Sequence, residues 1–522
     1  MNFNWVLDSA FEQVPAGDRE QLAISFDARQ RMTYAELRER SLRYARGLLD
    51  LGLRKGDRLA LLMFNTPEYL PLYFAAARLG VITVRLNFRL APAEVGFILG
   101  DSGSAVAIVH SSLLDKVDPV RAEVGVGTYV VLSDSDDPVP EWAQPFDVLE
   151  GKAPLEVENA PGVSADDAMS LIYTSGTTGT PKGAIWTHGN TLATATHQAL
   201  RWRFSQDTVA LVPGPLYHAG GIEAVLAPAL LMHGSAVCLA SSGFTIERQL
   251  EAIREEEVTD SLIFSFNLNE LLRLDDLEAR VSPSLRHLIV GGDTLMPWAV
   301  DEFQRRLPGI ELTQVYGSTE SGAIATTLED PDFKDQPKSI GRPMPLTEVR
   351  VTTPDGTLAG VDEVGEIEVR GAAVSAGYWQ RPDATMETFV DGWVHTGDLG
   401  FVNADGYLSL TGRAKDMIRS GGENVYPAEV EKVLTAHAGV KDAAVIAVPD
   451  ERYNEVGCAI LVVNPDDAPD DDALREFCRE RLARFKVPKY FVRVEELPRN
   501  ASGKVLKYIL REQYQDLGVP SR

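Results

Sequence analysis

One stretch of this chain has the types and spacing for phosphate chemistry, and two further motifs gather polar residues that stand out by type. The first is Leu171-Ile-Tyr-Thr-Ser-Gly-Thr-Thr-Gly-Thr-Pro-Lys-Gly183. Its apolar opening reads as the end of a buried strand. Glycines such as Gly176 and Gly179 let backbone N–H groups turn toward an anion and approach it closely. Thr174, Ser175, Thr177 and Thr178 add hydroxyl donors, and Lys182 adds a point charge. By composition this is a phosphate cradle, although a Gly/Ser/Thr run alone also reads as a flexible surface loop. It is not a Walker loop, because Pro181 stands where that motif needs its second glycine and Gly183 follows the lysine. The second group is Val315-Tyr-Gly-Ser-Thr-Glu-Ser321, where an apolar strand ends in an aromatic, a hydroxyl and a carboxylate. The third is Pro498-Arg-Asn-Ala-Ser-Gly-Lys-Val-Leu-Lys507, which sets Lys504 in a Ser-Gly turn. On its own such a lysine is an exposed surface residue.

These groups need rigid elements beneath them. Thr33 reads as a helix N-cap with Glu36 three residues on, a capping box. Leu37, Tyr44, Leu48 and Leu49 continue it as an apolar stripe. Strands are expected at Arg58–Met63, around Val81–Leu86, at Val209–Pro213 and before Gly291-Gly-Asp293, with helices between them. That alternation implies a mostly parallel sheet. Residues 339–412 are richer in glycine and proline and carry short alternating segments, as in an antiparallel or barrel-like subdomain. The expected fold class is α/β. A large N-terminal domain of mostly parallel sheets layered with helices carries the small β-barrel-like subdomain. A small mobile α+β domain follows.

At 522 residues the chain has length for roughly two to four domains. With 50 Lys and Arg against 76 Asp and Glu, the net charge is −26. That balance argues against nucleic acid or an anionic membrane as the main partner. Cys238, Cys458 and Cys478 lie far apart, without metal spacing or a disulfide framework. The first residues lack the basic and apolar regions of a signal peptide. The most apolar windows, near Leu70–Val84 and Ile222–Met232, are interrupted by Arg78 and Glu223 or are too short to span a bilayer. No stable membrane insertion is expected, and the cytoplasm is the expected compartment.

The first motif resembles the phosphate loop of the adenylate-forming enzymes, which include acyl-CoA synthetases, standalone adenylation domains and beetle luciferases. The resemblance extends along nearly the whole chain and is nearest to fatty-acid or aryl acid–CoA ligases. It implies an ATP site from Thr174, Ser175, Gly176, Thr177, Thr178, Gly179 and Lys182. Gly291, Gly292 and Asp293 would flank adenine, with Tyr316 and Gly317 beside them. Thr319 would approach the α-phosphate and Glu320 would hold Mg²⁺, which normally takes few carboxylates and keeps phosphate oxygens and waters. Asp398, in Asp391-Gly-Trp-Val-His-Thr-Gly-Asp-Leu-Gly400, would accept from the ribose hydroxyls with Arg413 beside it. Gly377-Tyr-Trp-Gln-Arg-Pro-Asp383 matches the family without a stated role. Lys504 would be the catalytic lysine. Lys415 would be the hinge between domains 1–414 and 415–522.

The family implies two half-reactions: a carboxylate attacks the α-phosphorus of ATP, and a thiol then displaces AMP. Lys504, Thr319 and Glu320 would carry the first. In the second, Gly421 and Gly422 would line the thiol tunnel, where a pantetheine arm passes close to backbone. Lys486 and Lys489 would meet CoA phosphates, although Val487 stands where some relatives carry Arg. The acid pocket would draw on His218, Ala219, Gly220, Gly221, Phe264, Gly291, Gly317 and Gly322. His218 alone would also read as a packed core histidine. These residues are mostly small and include no Lys or Arg, so a bulky or long hydrophobic acid is expected. Arg85 stands where the family usually has proline, and the sequence offers no reading of it. An acyl carrier protein in place of CoA, a non-catalytic nucleotide-binding paralogue and a homodimer remain open at this stage.

Overall fold

The computed structural model describes residues 2–13, 21–133, 138–156, 162–174, 181–241, 244–292, 294–420, 423–450, 453–465, 467–482, 484–499, 504–515 and 517. They pack as two compact units, one of residues 1–349 with 369–395 and one of residues 350–368 with 396–522.

The first unit is α/β. One of its sheets runs in the order Gln144–Pro145, Thr128–Leu132, Val106–His110, Arg58–Leu62, Ile82–Arg85, Ala168–Thr174 and Lys182–Thr187. All neighbours are parallel except the last two strands, which form an antiparallel hairpin with Thr174 opposite Lys182. The hairpin ends therefore hold the two sides of the glycine-rich motif together. Ile82–Arg85 and Val106–His110 are buried along their whole length, as strands covered on both faces must be. A second set of strands runs parallel from Leu22–Phe26 through Ser235–Cys238, Val209–Val212, Asp260–Phe264 and His287–Gly291 to Glu311–Tyr316. The C-terminal ends of the last three carry Phe264, Gly291 and Tyr316 side by side. Open parallel sheets bind ligands at such ends.

The capping box forms as expected. Glu36 N–H donates to Thr33 Oγ1 at 3.2 Å, and Thr33 N–H donates to the Glu36 carboxylate at 2.8 Å. The helix it starts, Tyr34–Asp50, buries Leu37, Tyr44 and Leu48. Helix Tyr69–Leu79 is buried on every face. The two charges that interrupt the apolar windows lie inside the protein. Arg78 donates to both Asp8 oxygens at 2.9 Å, and Glu223 pairs with Arg85. No helix among the described residues is long and apolar enough to cross a membrane.

The second unit is smaller and α+β. Its sheet centres on the antiparallel strands Val440–Asp450 and Asn454–Val463, flanked by Ile418–Ser420, Glu423–Val425 and Tyr490–Arg493. Helices Pro427–Thr435, Asp471–Arg479 and Lys507–Tyr514 belong to the same unit. Residues 398–402 pair antiparallel with 408–413, consistent with the change of texture in that stretch.

Two histidines make the first unit acid-sensitive. His188 and His197 are fully buried. Burial pushes each imidazole down to about 4, against opposition from Asp167 for His188 and from the Pro345 backbone for His197. His188 Nδ1 also accepts from Phe3 N–H at 3.2 Å, which needs that nitrogen unprotonated. Below the ordinary histidine range the unfolded chain takes up protons that the folded chain refuses. Stability therefore falls as pH drops from about 6.5 toward 4. Each histidine contributes a loss of up to about 3 kcal/mol by pH 4. Thermal melts should show a clearly lower Tm at pH 5 than at pH 7, and a flat profile over that range would contradict this assignment.

Candidate active site

Glu320 is the point where three distant segments meet. Thr174 Oγ1, at the end of the hairpin strand, donates to Glu320 Oε1 at 3.2 Å. Tyr378 Oη donates to the same oxygen at 2.9 Å. Ser375 N–H donates to the Glu320 carbonyl at 3.0 Å. Burial and the Glu320 charge hold the Tyr378 phenol well above its ordinary range, so it stays a donor. Among the described residues no hydrogen bond reaches Glu320 Oε2, and the residue is half-buried. A carboxylate with one oxygen fixed and one open fits a divalent cation that keeps phosphate oxygens and waters as its other ligands.

The segment bearing Tyr378 is built onto the hairpin. Ile185 N–H donates to the Gly377 carbonyl at 2.9 Å, and Trp379 N–H donates to that of Gly183 at 2.8 Å. Gly377 has φ +117, and a Cβ there would lie 2.7 Å from Thr385 Cγ2. Arg381 pairs with Asp101, whose other oxygen accepts from Tyr173 Oη at 2.8 Å. Lys182 Nζ sits 5.1 Å from the centre of the Tyr378 ring. Lys182, Thr174, Glu320 and Tyr378 thus form one cluster. Ser175, Gly176, Thr177, Thr178 and Gly179 lie outside the described residues, as do Asp293, Gly421 and Gly422.

The turn bearing Thr319 and Glu320 is wound tightly. Ser318 and Ser321 exchange hydrogen bonds, with N–H to Oγ distances of 2.8 and 3.1 Å. Ala323 N–H closes the turn on the Ser318 carbonyl at 2.9 Å. A Cβ on Gly317 would lie 2.3 Å from the Ala323 carbonyl oxygen. Gly322 has φ +88, and a Cβ there would lie 2.6 Å from the Ala373 carbonyl oxygen. Both glycines are therefore required by backbone packing, whatever ligand they face. Phe264 and Gly291 are register partners on adjacent strands, and Gly292 follows with φ +100 beside the Phe264 ring.

Pro215–Gly221 supplies the acid-side candidates. His218 Nδ1 accepts from Gly220 N–H at 3.2 Å. Part of the ring keeps surface contact, yet burial and then the Arg85 charge push it down to about 4. His218 is therefore a neutral wall at neutral pH, which suits an apolar acid. Ala219 is buried and Gly221 has no room for a Cβ, which would meet the Pro215 carbonyl oxygen at 2.5 Å.

The second unit holds its own cluster. Asp398 and Arg413 are opposite one another in register, and Arg413 Nε donates to Asp398 Oδ1 at 2.9 Å. Lys504 lies in their field together with Lys415 and Asp416. Burial and then Arg413 push the Lys504 ammonium down to about 8, against the opposition of Asp398. Its exposed surface lets solvent screen part of this effect. Lys415 is also lowered, by burial and by Arg413. Lys486 donates to both Glu429 oxygens at 2.8 and 2.7 Å, and Lys489 to Asp450 at 2.5 Å. Both lysines named for CoA phosphates therefore already hold a carboxylate.

The family model described as AMP-binding enzyme matches residues 11–379, and that of the AMP-binding enzyme C-terminal domain matches residues 429–504. The chain is 35% identical over 514 residues to a long-chain-fatty-acid–CoA ligase, FadD13, of Mycobacterium tuberculosis, covering 98% of each chain. It is 38% identical over 495 residues to a feruloyl-CoA synthase of an Amycolatopsis species, covering 92% of this chain and 94% of that one. Among solved structures, ATP-bound MatB from Rhodopseudomonas palustris superposes with a TM-score of 0.89 at 31% identity, covering 99% of this chain and 100% of that one.

The crowding at Gly317 gives a direct test. Gly317→Ala should cost about 1–3 kcal/mol of stability through overpacking and weaken ATP binding at least tenfold. Gly309→Ala, where a Cβ meets nothing within 4 Å, serves as the control and should change neither. Thermal melts and calorimetric titration with ATP read both quantities. Equal behaviour of the two variants would show that the turn is not as tight as described.

Proposed function

The chain belongs to the AMP-binding enzyme family, and we propose that this AMP-forming acid–CoA ligase acts on a bulky or long hydrophobic carboxylic acid. One observation carries the substrate reading. The segment Pro215–Gly221 offers small residues and a neutral His218, and Arg85, which donates to its Leu216 carbonyl, is already neutralised by Glu223, while Arg89 donates to the Tyr217 hydroxyl. His218, Ala219, Gly220 and Gly221 themselves carry no cation to pair with a second carboxylate. The identity to fatty-acid and feruloyl ligases supports the same class.

The reaction proceeds by two displacements. A carboxylate oxygen forms a bond to the α-phosphorus of ATP, and the bond from that phosphorus to the bridging oxygen breaks. The products are an acyl-adenylate and pyrophosphate. The CoA sulfur then bonds to the acyl carbon, AMP leaves with the former carboxylate oxygen, and the thiol proton passes to solvent. Neither step needs a protein nucleophile, so catalysis rests on positioning and on fixed positive groups. Lys182 and the loop from Thr174 bind phosphate, and Thr319 orients the α-phosphate. Glu320 would hold Mg²⁺, which would supply neutralisation of phosphate charge. Tyr316, Gly291, Gly292 and Asp293 enclose adenine, and Asp398 with Arg413 holds the ribose. Lys504 stabilises charge on the α-phosphate. We assign the hinge to Lys415, between domains 1–414 and 415–522. Gly421 and Gly422 line the thiol path in the second step. Lys486 and Lys489 can meet CoA phosphates only by exchanging their carboxylate partners. Buried free cysteines and the use of ATP and CoA fit a cytoplasmic enzyme.

An acyl carrier protein would use the same adenylation site, and its phosphopantetheine would replace CoA. The assay that separates the readings is pyrophosphate release over a panel of acids, with CoA or a phosphopantetheinyl carrier protein as acceptor. Medium- and long-chain fatty acids, arylacrylates or polycyclic acids should give pyrophosphate, with AMP and thioester appearing when CoA is added. Acetate or malonate turned over far better than these would contradict the substrate class. Thioester with carrier protein alone would replace CoA as the acceptor.

Lys504 supplies a second test. Lys504→Ala should lower the adenylation rate on the order of 10²–10³-fold. Because the lysine acts when charged and its pKa is lowered, kcat/KM for adenylation should fall as pH rises through about 8 or above. Lys504→Arg should remove that alkaline limb. An unchanged limb in this variant would assign the titration to another group.

A further inference from the structure

Arg85 ends the strand Ile82–Arg85, with Leu61 and Ile172 as its register partners. Its side chain and that of Glu223 are both fully buried. Arg85 Nη1 and Nη2 each donate to Glu223 Oε2 at 3.1 Å, and Nη1 also donates to the Leu216 carbonyl at 3.3 Å. Tyr73 Oη donates to Glu223 Oε1 at 3.1 Å. The Tyr73 ring lies 5.6 Å from the guanidinium. Thr83 and Ser170 hydroxyls, 2.8 Å apart, continue the chain to Tyr73 Oη, 3.5 Å from Ser170 Oγ. Burial pushes the Glu223 carboxyl up, and the donors from Arg85 and Tyr73 oppose it.

Leu216 and Glu223 bracket Tyr217–Gly221 in sequence. Leu216 precedes His218, and Glu223 lies in the π-helical turn Ile222–Leu226 directly after Gly221. Asn65, three residues past the end of the neighbouring strand Arg58–Leu62, holds the same segment. Its Nδ2 donates to the Gly214 carbonyl at 3.0 Å, and its Oδ1 accepts from Leu216 N–H at 2.8 Å. The wall of the acid site is therefore tied at both ends to the sheet that bears Thr174. Burying an ion pair is a poor route to stability, because an apolar pair of similar volume often serves as well or better. What the planar guanidinium adds is direction: few placements satisfy Glu223 and the Leu216 carbonyl together.

We propose that the Arg85–Glu223 pair, with Tyr73, is the positioning device that fixes Pro215–Gly221 and so determines which acids the enzyme accepts. The proposal rests on the assignment of that segment to the acid site. Arg85 and Glu223 do not touch the reacting atoms, so they act on acid binding and leave the ATP steps alone.

The test compares Arg85→Met/Glu223→Leu, which leaves no unpaired buried charge, with Arg85→Lys, which keeps the charge and loses the fork. Two readouts are taken on the full-length protein. Hydrogen exchange of amides 214–226 in the unliganded protein should quicken at least tenfold in the double variant, and less in Arg85→Lys, while amides of Val440–Val463 stay unchanged. With the preferred acid, KM for the acid should rise about tenfold or more in the double variant, with KM for ATP and kcat within about threefold. The ranking of acids by length should flatten. Arg85→Lys should lie between the two. Unchanged exchange and an unchanged acid ranking in either folded variant would overturn the proposal, even if Tm fell. If the double variant does not fold, Arg85→Lys decides alone on the same two readouts. If the wild-type protein activates no acid, the proposed function fails. The positioning claim is then judged by exchange alone.

Discussion

Everything in the candidate site depends on the fixing of one carboxylate oxygen. Glu320 Oε1 receives Thr174 from the end of one sheet and Tyr378 from a segment built onto that sheet's last hairpin. Glu320 itself follows the end of a strand in the other set. A carboxylate held on one oxygen by two neutral donors keeps its charge and presents its second oxygen in one direction. The surrounding glycines are explained by the same crowding. Gly317 and Gly322 allow the Glu320 turn to close within contact distance of backbone carbonyls. The phosphate-loop hairpin, the turn and the Tyr378 segment are thus one mechanical piece.

A second constraint works within the same unit. Buried charges are placed where elements of different origin must keep one distance. Arg78 clasps Asp8, and Arg85 clasps Glu223. Each pair costs desolvation and returns direction. In the smaller unit Arg413, paired with Asp398, stands with Lys415 and Asp416 in the field around Lys504. Burial and then the charge of Arg413 lower the Lys504 ammonium and make its charge depend on pH in the range where the enzyme would work.

The architecture was legible because each strand preceding a motif is apolar and each motif then breaks into glycine and hydroxyl residues. The capping box at Thr33 and Glu36 needed only local spacing. The Glu320 cluster was legible in part: Thr174, Lys182 and Glu320 stood out by type, but Tyr378 had no stated role. Its hydroxyl finds Glu320 across 58 positions, and local pattern carries no trace of such a contact. A phenol placed after a glycine that needs positive φ was the available signal. Arg85 and Glu223 each looked anomalous alone, one for a missing proline and one for a charge in an apolar window. Separated by 138 positions, they explain each other only once folded. Lys486 and Lys489 looked available by type, and their carboxylate partners were equally invisible in sequence.

The central claim is that a carboxylate attacks the α-phosphorus of ATP in a site organised by Glu320. It is tested most directly by following oxygen. The preferred acid, labelled with ¹⁸O in its carboxylate, is turned over with ATP and CoA in unlabelled water, and the AMP is examined by mass spectrometry. The account predicts that AMP carries one ¹⁸O from the acid for each thioester formed. AMP free of label, with thioester still produced, would mean that no acyl-adenylate forms and would contradict the account.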